Sequence, residues 1–268
     1  TICTSRKLLN YMTEKEDWKG IRKCLSSASK LDITADMVKT RQVLSDSYDV
    51  DALNMDTSPR MIERMARKAT ERHQPFRIVG CGGSGTGKTS FAYWLSRELG
   101  MDLIVKSVSD IQKMYIGESE AAIRLMFQEA EEKDAILLLD ECETYLGRRS
   151  DSSTSGGKSY NSVTNCFLSE IERFSGILIG TTNRRELIDE AFFRRFHKIV
   201  TFSFPSEEGM RMLFRRYFPD MAFDEASIDE ICRRGFIGPG DFSIIKENME
   251  YMDEDDITPE FILTELRR

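Results

Sequence analysis

The sequence lacks the features typical of membrane-spanning, disulfide-bonded and zinc-binding proteins. No apolar run approaches the roughly 20 residues that a membrane-spanning helix needs. The six cysteines include no C-x-x-C pair, and His73 and His197 have no cysteine or carboxylate partner at metal-ligand spacing. The net charge of −7 gives no overall attraction to nucleic acid or to an anionic membrane. The composition, with 40% hydrophobic and 31% charged residues, is typical of an ordinary soluble protein.

The length is enough for one large domain and a smaller one, at 268 residues. The chain begins at Thr1 rather than at a methionine, so we expect that it could be a fragment. A missing targeting signal would then say little about the full-length protein.

One glycine-rich stretch, G-G-S-G-T-G-K-T at residues 82–89, fits the phosphate-binding pattern G-x-x-x-x-G-K-[ST]. The apolar run Phe76–Val79 before it predicts a strand, and apolar residues at helical spacing from Ser90 to Leu99 predict a helix after it. Glycines let the backbone aim successive N–H groups inward, and the helix start adds unpaired donors. Lys88 would then contact the outer phosphates, and Thr89 would supply a hydroxyl for magnesium.

Apolar runs alternate with helical patterns through the middle of the chain. This alternation predicts a parallel sheet covered by helices on both faces, with its ligand at the carboxyl edge of the strands. After Pro205 the strand signals stop, and four amphipathic patterns predict a small all-helical domain. The predicted strands are Phe76–Val79, Leu103–Val105, Ala135–Leu139, Ile177–Ile179 and Ile199–Phe202.

Polar side chains follow two of these strands. Asp140 and Glu141 end the run that begins at Ala135, and burying two carboxylates is costly unless they face a site. Asp140 would hold magnesium, and Glu141 would polarise the water that attacks the γ-phosphate. Asn183 follows the Ile177–Ile179 strand and could orient that water. Alternatively, Asp140 and Glu141 merely begin the next surface helix.

Two further segments have more than one interpretation. Arg194 and Arg195 precede the last strand and could be a solvated pair or could reach the nucleotide of a neighbouring subunit. The stretch K-M-Y-I-G-E-S-E at residues 113–120 would, by itself, indicate a hydrophobic staple and helix cap.

These motifs, in this order, resemble the AAA+ ATPases over about residues 45–268. More narrowly, the chain resembles the AAA group with a pore loop, and most of all bacterial AAA proteins with one C-terminal ATPase module. It departs from the family pattern at the arginines, where the usual Pro-Gly between them is missing, so either could be the arginine finger. It also has Gly238-Pro239-Gly240-Asp241 where the family has S-G-A-D, and it shows no sensor-2 arginine.

The resemblance implies a fold and a set of site residues. The fold is a five-stranded parallel P-loop sheet with helices on both faces (46–204), followed by a helical lid (205–268). Residues 1–45 lie before the resemblance, and their own apolar spacing predicts a helical arm, which is either a packing hairpin or a coupling arm to an upstream domain. Asp140 and Glu141 become the Walker B pair, Asn183 becomes sensor 1, and 150–161 becomes a second pore loop. The pore-loop residues that would grip a polypeptide are Met114, Tyr115, Ile116 and Gly117. The nucleotide-binding residues are Gly82, Gly83, Ser84, Gly85, Thr86, Gly87, Lys88, Thr89, Ser90, Gly240 and Asp241.

The function that we expect is Mg²⁺-dependent ATP hydrolysis by a hexameric ring that remodels or unfolds protein in the cytoplasm. ATP and Mg²⁺ are the expected cofactors, and a polypeptide is the expected partner. One alternative is a loader or initiator acting on nucleic acid, which would lack the Tyr115 signature and is not favoured. The other is a nucleotide-switched assembly scaffold, which would bind ATP tightly with negligible turnover.

Overall fold

A computed structural model describes residues 47–107, 118–143, 155–188 and 190–268, with the backbone alone for residues 118 and 155–161. All of these residues belong to one unit, Leu44–Arg268. The predicted arm at 1–45 and the four predicted pore-loop residues, Met114 to Gly117, lie outside the described residues.

A mixed sheet of six described strands organises this unit, in the spatial order β1-β6-β2-β5-β4-β3. The five strands β2 to β6 run parallel to one another, and β1 pairs antiparallel with β6 at the edge. The strands are β1 (Asn54–Met55), β2 (Phe76–Gly82), β3 (Leu103–Ser107), β4 (Ile136–Asp140), β5 (Ile177–Thr182) and β6 (Lys198–Ser203).

The five parallel strands confirm the predicted fold class, and their burial explains why the sequence signal was clear. Residues 136–139 of β4 and all six residues of β5 are buried, since helices cover both sheet faces. One apolar cluster includes Leu137 and Phe127, and the cluster on the opposite face includes Leu138 and Trp94. The edge strand β1 was not predicted, because two residues carry no period-2 pattern.

Helices flank the strands at the positions where apolar residues recur at helical spacing. Helix α1 begins with Pro59 at its first turn, where a missing N–H costs nothing, and α2 ends at Gly100 in the left-handed conformation. None of the helices in the described part of the chain has the length and apolar composition needed to traverse a bilayer. The helices of this part are α1 (Pro59–Glu71), α2 (Lys88–Leu99), α3 (Glu118–Glu132), α4 (Ser155–Arg173) and the short α5 (Glu190–Phe193).

The polar segment 150–161, predicted to be a second pore loop, is partly helical. Helix α4 begins at Ser155, so residues 155–161 form its first turns, and residues 150–154 lie outside the described part. The role of this segment as a pore loop stays a prediction. Helical backbone can continue through its polar residues because later turns of the same helix pack against a core. Phe167 and Ile171 of α4 supply that packing, with exposures of 1% and 0%.

A group of helices follows β6, and we call it the C-terminal helical group. Its own apolar cluster includes Ile231, Phe242 and Ile262, each completely buried. Ala52, in the 3₁₀ turn Val50–Ala52, also belongs to this cluster, so the group packs against the segment that precedes the sheet. The group comprises α6 (Glu207–Tyr217), α7 (Glu225–Arg234), α8 (Pro239–Met249) and α9 (Pro259–Arg267).

Gly82→Ala is expected to destabilise the fold by about 1–3 kcal/mol, the usual cost of overpacking. Gly82 pairs with Phe202 across β2 and β6, and a Cβ at Gly82 would lie 2.1 Å from the Phe202 carbonyl oxygen. Backbone in the middle of a sheet cannot move aside. The free energy of unfolding in urea measures the effect.

Gly83→Ala is the matched control. A Cβ at Gly83 would lie 3.2 Å from the tip of the Phe204 side chain, and that side chain can shift. An equal loss of stability in the two variants would contradict the steric explanation.

Candidate functional site

Three neighbouring parallel strands end at the same edge of the sheet, and each delivers polar groups there. Strand β2 ends at Gly82, β4 ends at Asp140, and β5 ends at Thr182. The order β2-β5-β4 places β5 between the other two. This edge therefore brings together the two motifs that the sequence separates by about fifty residues, as expected for a ligand site in a parallel α/β sheet.

The glycine-rich loop joins β2 to α2 as a tight turn. Gly85 and Gly87 have φ values of 76° and 93°, which side chains other than glycine rarely adopt, and Gly87 is the N-cap of α2. Thr86 is 1% exposed, and its hydroxyl donates to the Gly83 carbonyl at 2.8 Å. The first N–H groups of α2 have no intrahelical acceptor, so they form an anion-binding end. Thr89 and Ser90 lie in this first turn.

The Lys88 ammonium is held inside this loop. Lys88 is only 7% exposed, and its Nζ donates to the carbonyls of Gly82 at 2.9 Å and Gly83 at 2.6 Å. Burial lowers the pKa of Lys88, while the charges of Asp140 and Glu143 act in the opposite direction. Among the described residues this buried ammonium donates only to neutral oxygen atoms, so an anionic ligand would add favourable charge here.

Thr89 and Asp140 lie close enough to share one small cation. The Thr89 hydroxyl is 3.2 Å from Asp140 Oδ2 and 3.4 Å from Oδ1. Mg²⁺ prefers oxygen ligands and usually takes one or two from the protein, with phosphate oxygens and water completing its shell. The described residues contain no group of three His, Cys, Asp or Glu side chains that could form an all-protein metal site. The donor set therefore fits a magnesium ion that arrives with a phosphate ligand.

Thr181, near the end of β5, lies between the two acidic residues. Its hydroxyl donates to Asp140 Oδ1 and accepts the Glu141 N–H at 3.3 Å. Glu141 itself is exposed and has a φ of 53°, in the left-handed region. The sequence patterns gave Thr181 no role.

Glu143 is a third carboxylate at this edge, and sequence analysis missed it. Its Oε1 accepts the N–H of Asn183 at 3.4 Å, whereas its buried Oε2 has no hydrogen-bond partner among the described residues. Asn183 is exposed immediately after β5. The available signal was the pattern D-E-x-E at residues 140–143, which places a third acidic residue just after the predicted buried strand.

The two adjacent arginines differ in their surroundings. Arg195 is tied to its own subunit, because its Nε is 2.9 Å from Glu172 Oε1 and its guanidinium donates to the Ala191 carbonyl. The Arg194 side chain is exposed and has no hydrogen-bond or ion-pair partner within the described ranges. The geometry therefore separates two residues that the sequence left equivalent.

The start of α8 contacts the glycine-rich loop directly. The Gly240 N–H donates to the Gly85 carbonyl at 3.0 Å, and a Cβ at Gly240 would lie 2.9 Å from Gly85 Cα. Asp241 accepts the Gly238 N–H at 2.7 Å, which caps the helix. The structure thus places Gly240 and Asp241 beside the phosphate-binding loop. Their predicted contact with the nucleotide stays a prediction.

Two cysteines near this edge are poor candidates for nucleophiles. Burial raises the pKa of Cys81 to about 11 and the pKa of Cys142 well above its usual value. Both thiols are therefore protonated at neutral pH, and thiolate chemistry is excluded for them.

Comparisons with known proteins agree with this arrangement. Residues 78–204 match the model of the ATPase family associated with various cellular activities (AAA). The chain is 35% identical over 150 residues to the protein mac-1 of Caenorhabditis elegans, which is 53% of this chain and 18% of that protein. It is 28% identical over 261 residues to the peroxisomal ATPase PEX6 of Eremothecium gossypii, which is 84% of this chain and 25% of that protein. It is 30% identical over 167 residues to the proteasome-activating nucleotidase of Methanothermobacter thermautotrophicus, which is 59% of this chain and 41% of that protein.

A solved structure has the same fold. The FIGL-1 AAA domain superposes with a TM-score of 0.59 at 20% identity, covering 81% of this chain and 80% of that one. The chain spans less than half the length of the three curated relatives. The match over β2 to β6, the ATPase relatives and the geometry of the sheet edge lead to one conclusion. Over residues 78–204, the chain contains a domain of the AAA family of ATPases.

Proposed function

We propose that this site holds ATP with Mg²⁺ and hydrolyses the bond to its γ-phosphate, and that it does so within a hexameric ring that remodels protein. The observation that carries the proposal is the convergence of Lys88, Thr89, Asp140 and Glu141 at one edge of the parallel sheet, with Asn183 beside them. Each of these side chains has a type suited to phosphoryl transfer, and the sheet brings them together from three strands.

Binding would depend on the glycine-rich loop. Backbone N–H groups of the turn and of the first turn of α2 would surround the phosphates. Lys88, whose ammonium now contacts two loop carbonyls, would move its charge toward the outer phosphates. Thr89 and Asp140 would hold Mg²⁺, which would supply positive charge to offset the negative charge of the phosphates.

Hydrolysis would depend on the exposed Glu141 and Asn183. The Glu141 carboxylate would accept a proton from the attacking water, and the Asn183 amide would hold that water in line. An exposed arginine from the next subunit would stabilise the charge of the transition state. Arg194 is suited to this role in trans because its side chain is free of partners in the described part of its own subunit, whereas Arg195 is occupied.

Motion would begin at the contact between the C-terminal helical group and the glycine-rich loop. We treat this group as the lid of the ATPase. Gly240 bonds to Gly85 of the phosphate-binding loop, so a shift of the loop on hydrolysis is passed to α8. The predicted pore-loop residues around Tyr115 would carry that motion to a polypeptide. The relatives named as a peroxisomal ATPase and a proteasome-activating nucleotidase support a protein-directed role.

Lys88→Met tests the proposal. The methionine keeps the buried stem and removes the charge, so the affinity for ATP is expected to fall by about 10- to 100-fold, as for loss of a hydrogen bond to a charged group. Titration with a fluorescent ATP analogue measures the affinity, and phosphate release measures the turnover. Lys133→Met is the control, because Lys133 pairs with Glu129 on the surface of α3. Parental ATP hydrolysis by Lys88→Met would overturn the proposal.

A further inference from the structure

The Thr181 hydroxyl joins both acidic residues of the site. Thr181 is 1% exposed, and its hydroxyl is a donor to Asp140 Oδ1 and an acceptor for the Glu141 N–H. One hydroxyl uses both of its hydrogen-bonding functions on two adjacent residues with different proposed roles. Val or Ala would fit a buried strand equally well, so the choice of threonine at this position is not explained by packing alone.

The backbone at Glu141 needs such support. A φ of 53° is unfavourable for a glutamate and persists only where neighbouring groups hold it. Thr181 supplies both acceptors on this side: its hydroxyl accepts the Glu141 N–H, and its carbonyl accepts the Cys142 N–H at 2.9 Å. The direction in which Glu141 leaves β4 is therefore set by contacts with a single residue of β5.

The Asp140 carboxylate is held from two directions. Thr181 donates to Oδ1, while the Thr89 hydroxyl lies 3.2 Å from Oδ2. Rotation of the carboxylate would break one of these contacts. Its orientation is thereby set before any ligand binds, which is the arrangement that raises affinity for a metal ion.

We propose that Thr181 is a positioning residue for ATP hydrolysis, orienting Asp140 toward the magnesium site and Glu141 toward the attacking water. The inference rests on the proposed function. Loss of the hydroxyl frees the Asp140 carboxylate and removes the acceptor for the Glu141 N–H, while the phosphate-binding loop keeps its contacts. Nucleotide binding without magnesium therefore persists, and the magnesium dependence and the turnover both change.

The experiment compares variants at Thr181 in the protein of 268 residues. Thr181→Val keeps the shape and loses the hydroxyl; it is expected to lower kcat by about 10- to 100-fold and to raise the half-saturating Mg²⁺ concentration by a similar factor, the usual range for such supporting contacts. The affinity for a fluorescent ATP analogue measured without Mg²⁺ stays within about twofold of the parental value, since contacts of the loop are unchanged. Thr164→Val, which removes a hydroxyl from another buried threonine, is the control and keeps the parental kcat.

Thr181→Ser and Thr181→Ala form a second pair that differs by one oxygen, for use if Thr181→Val fails to fold. Near-parental kcat and Mg²⁺ dependence in the serine variant, with losses in the alanine variant, support the inference. The inference is overturned if the serine and alanine variants behave alike, or if Thr181→Val keeps the parental Mg²⁺ dependence. The proposed function stands in either case, provided that ATP hydrolysis still requires Glu141. Absence of ATP hydrolysis in the parental protein overturns the proposed function and this inference with it.

Discussion

Glu141→Gln is expected to lower kcat for ATP hydrolysis by about 10²- to 10⁴-fold while ATP still binds. The amide has the shape of the carboxylate but cannot accept a proton from the attacking water. Glu141 is exposed at the sheet edge and its backbone N–H is already bonded to Thr181, so the substitution leaves the local contacts in place. Phosphate release measures kcat, and titration with a fluorescent ATP analogue measures binding.

Glu132→Gln is the control, because Glu132 is an exposed carboxylate at the end of α3. Unchanged kcat in Glu141→Gln would contradict its role as the base. The same variant also tests the ring: in mixtures with parental subunits, a coordinated ring loses activity faster than the fraction of variant subunits rises. A proportional loss would show that the subunits hydrolyse ATP independently.

Arg194→Ala is expected to lower kcat by about 10³-fold or more, the lower bound for loss of an arginine that stabilises phosphoryl transfer. Its side chain is exposed and has no ion-pair partner in the described part of its own subunit. Arg195→Ala is the matched comparison. Since Arg195 bonds to Glu172 and Ala191 of its own subunit, we expect a loss of stability with a much smaller effect on kcat. Thermal unfolding and phosphate release separate the two effects.

Mixing variants distinguishes action in trans from action in cis. Subunits with Lys88→Met are expected to bind ATP weakly but keep Arg194, and subunits with Arg194→Ala keep the phosphate-binding loop. A mixture is expected to regain part of the parental activity, because some interfaces then combine an intact loop with an intact arginine. A mixture as inactive as its two components would place the arginine in the same subunit as the ATP that it serves.

Much of the site was predictable because its signals are local. The glycine-rich loop needs glycines, a lysine and a threonine within eight residues, and the structure places them where β2 leads into α2, as the pattern indicated. Asp140 and Glu141 follow a strand whose burial is visible as a run of apolar residues. The C-terminal helices were predicted for the same reason, since apolar residues three or four apart lie on one face.

The contacts that orient these groups were not predictable. Thr181 bonds to Asp140 across 41 residues, and Glu143 bonds to the Asn183 N–H across 40. No spacing in the sequence predicts either contact, because the partners lie on, or just after, neighbouring strands of the sheet. The same holds for Arg195 and Glu172, whose pairing distinguishes the two arginines, and for Gly240 against Gly85.

The sequence by itself determined the class of fold, the phosphate-binding loop and the two carboxylates that follow β4, because each depends on short-range propensity and on a pattern of burial. Only the tertiary structure decided which arginine has no partner in the described part of the chain, that the start of α8 contacts the loop, and that one threonine hydroxyl contacts both Asp140 and the Glu141 N–H. These depend on the order β2-β5-β4, which is set by packing across the whole sheet.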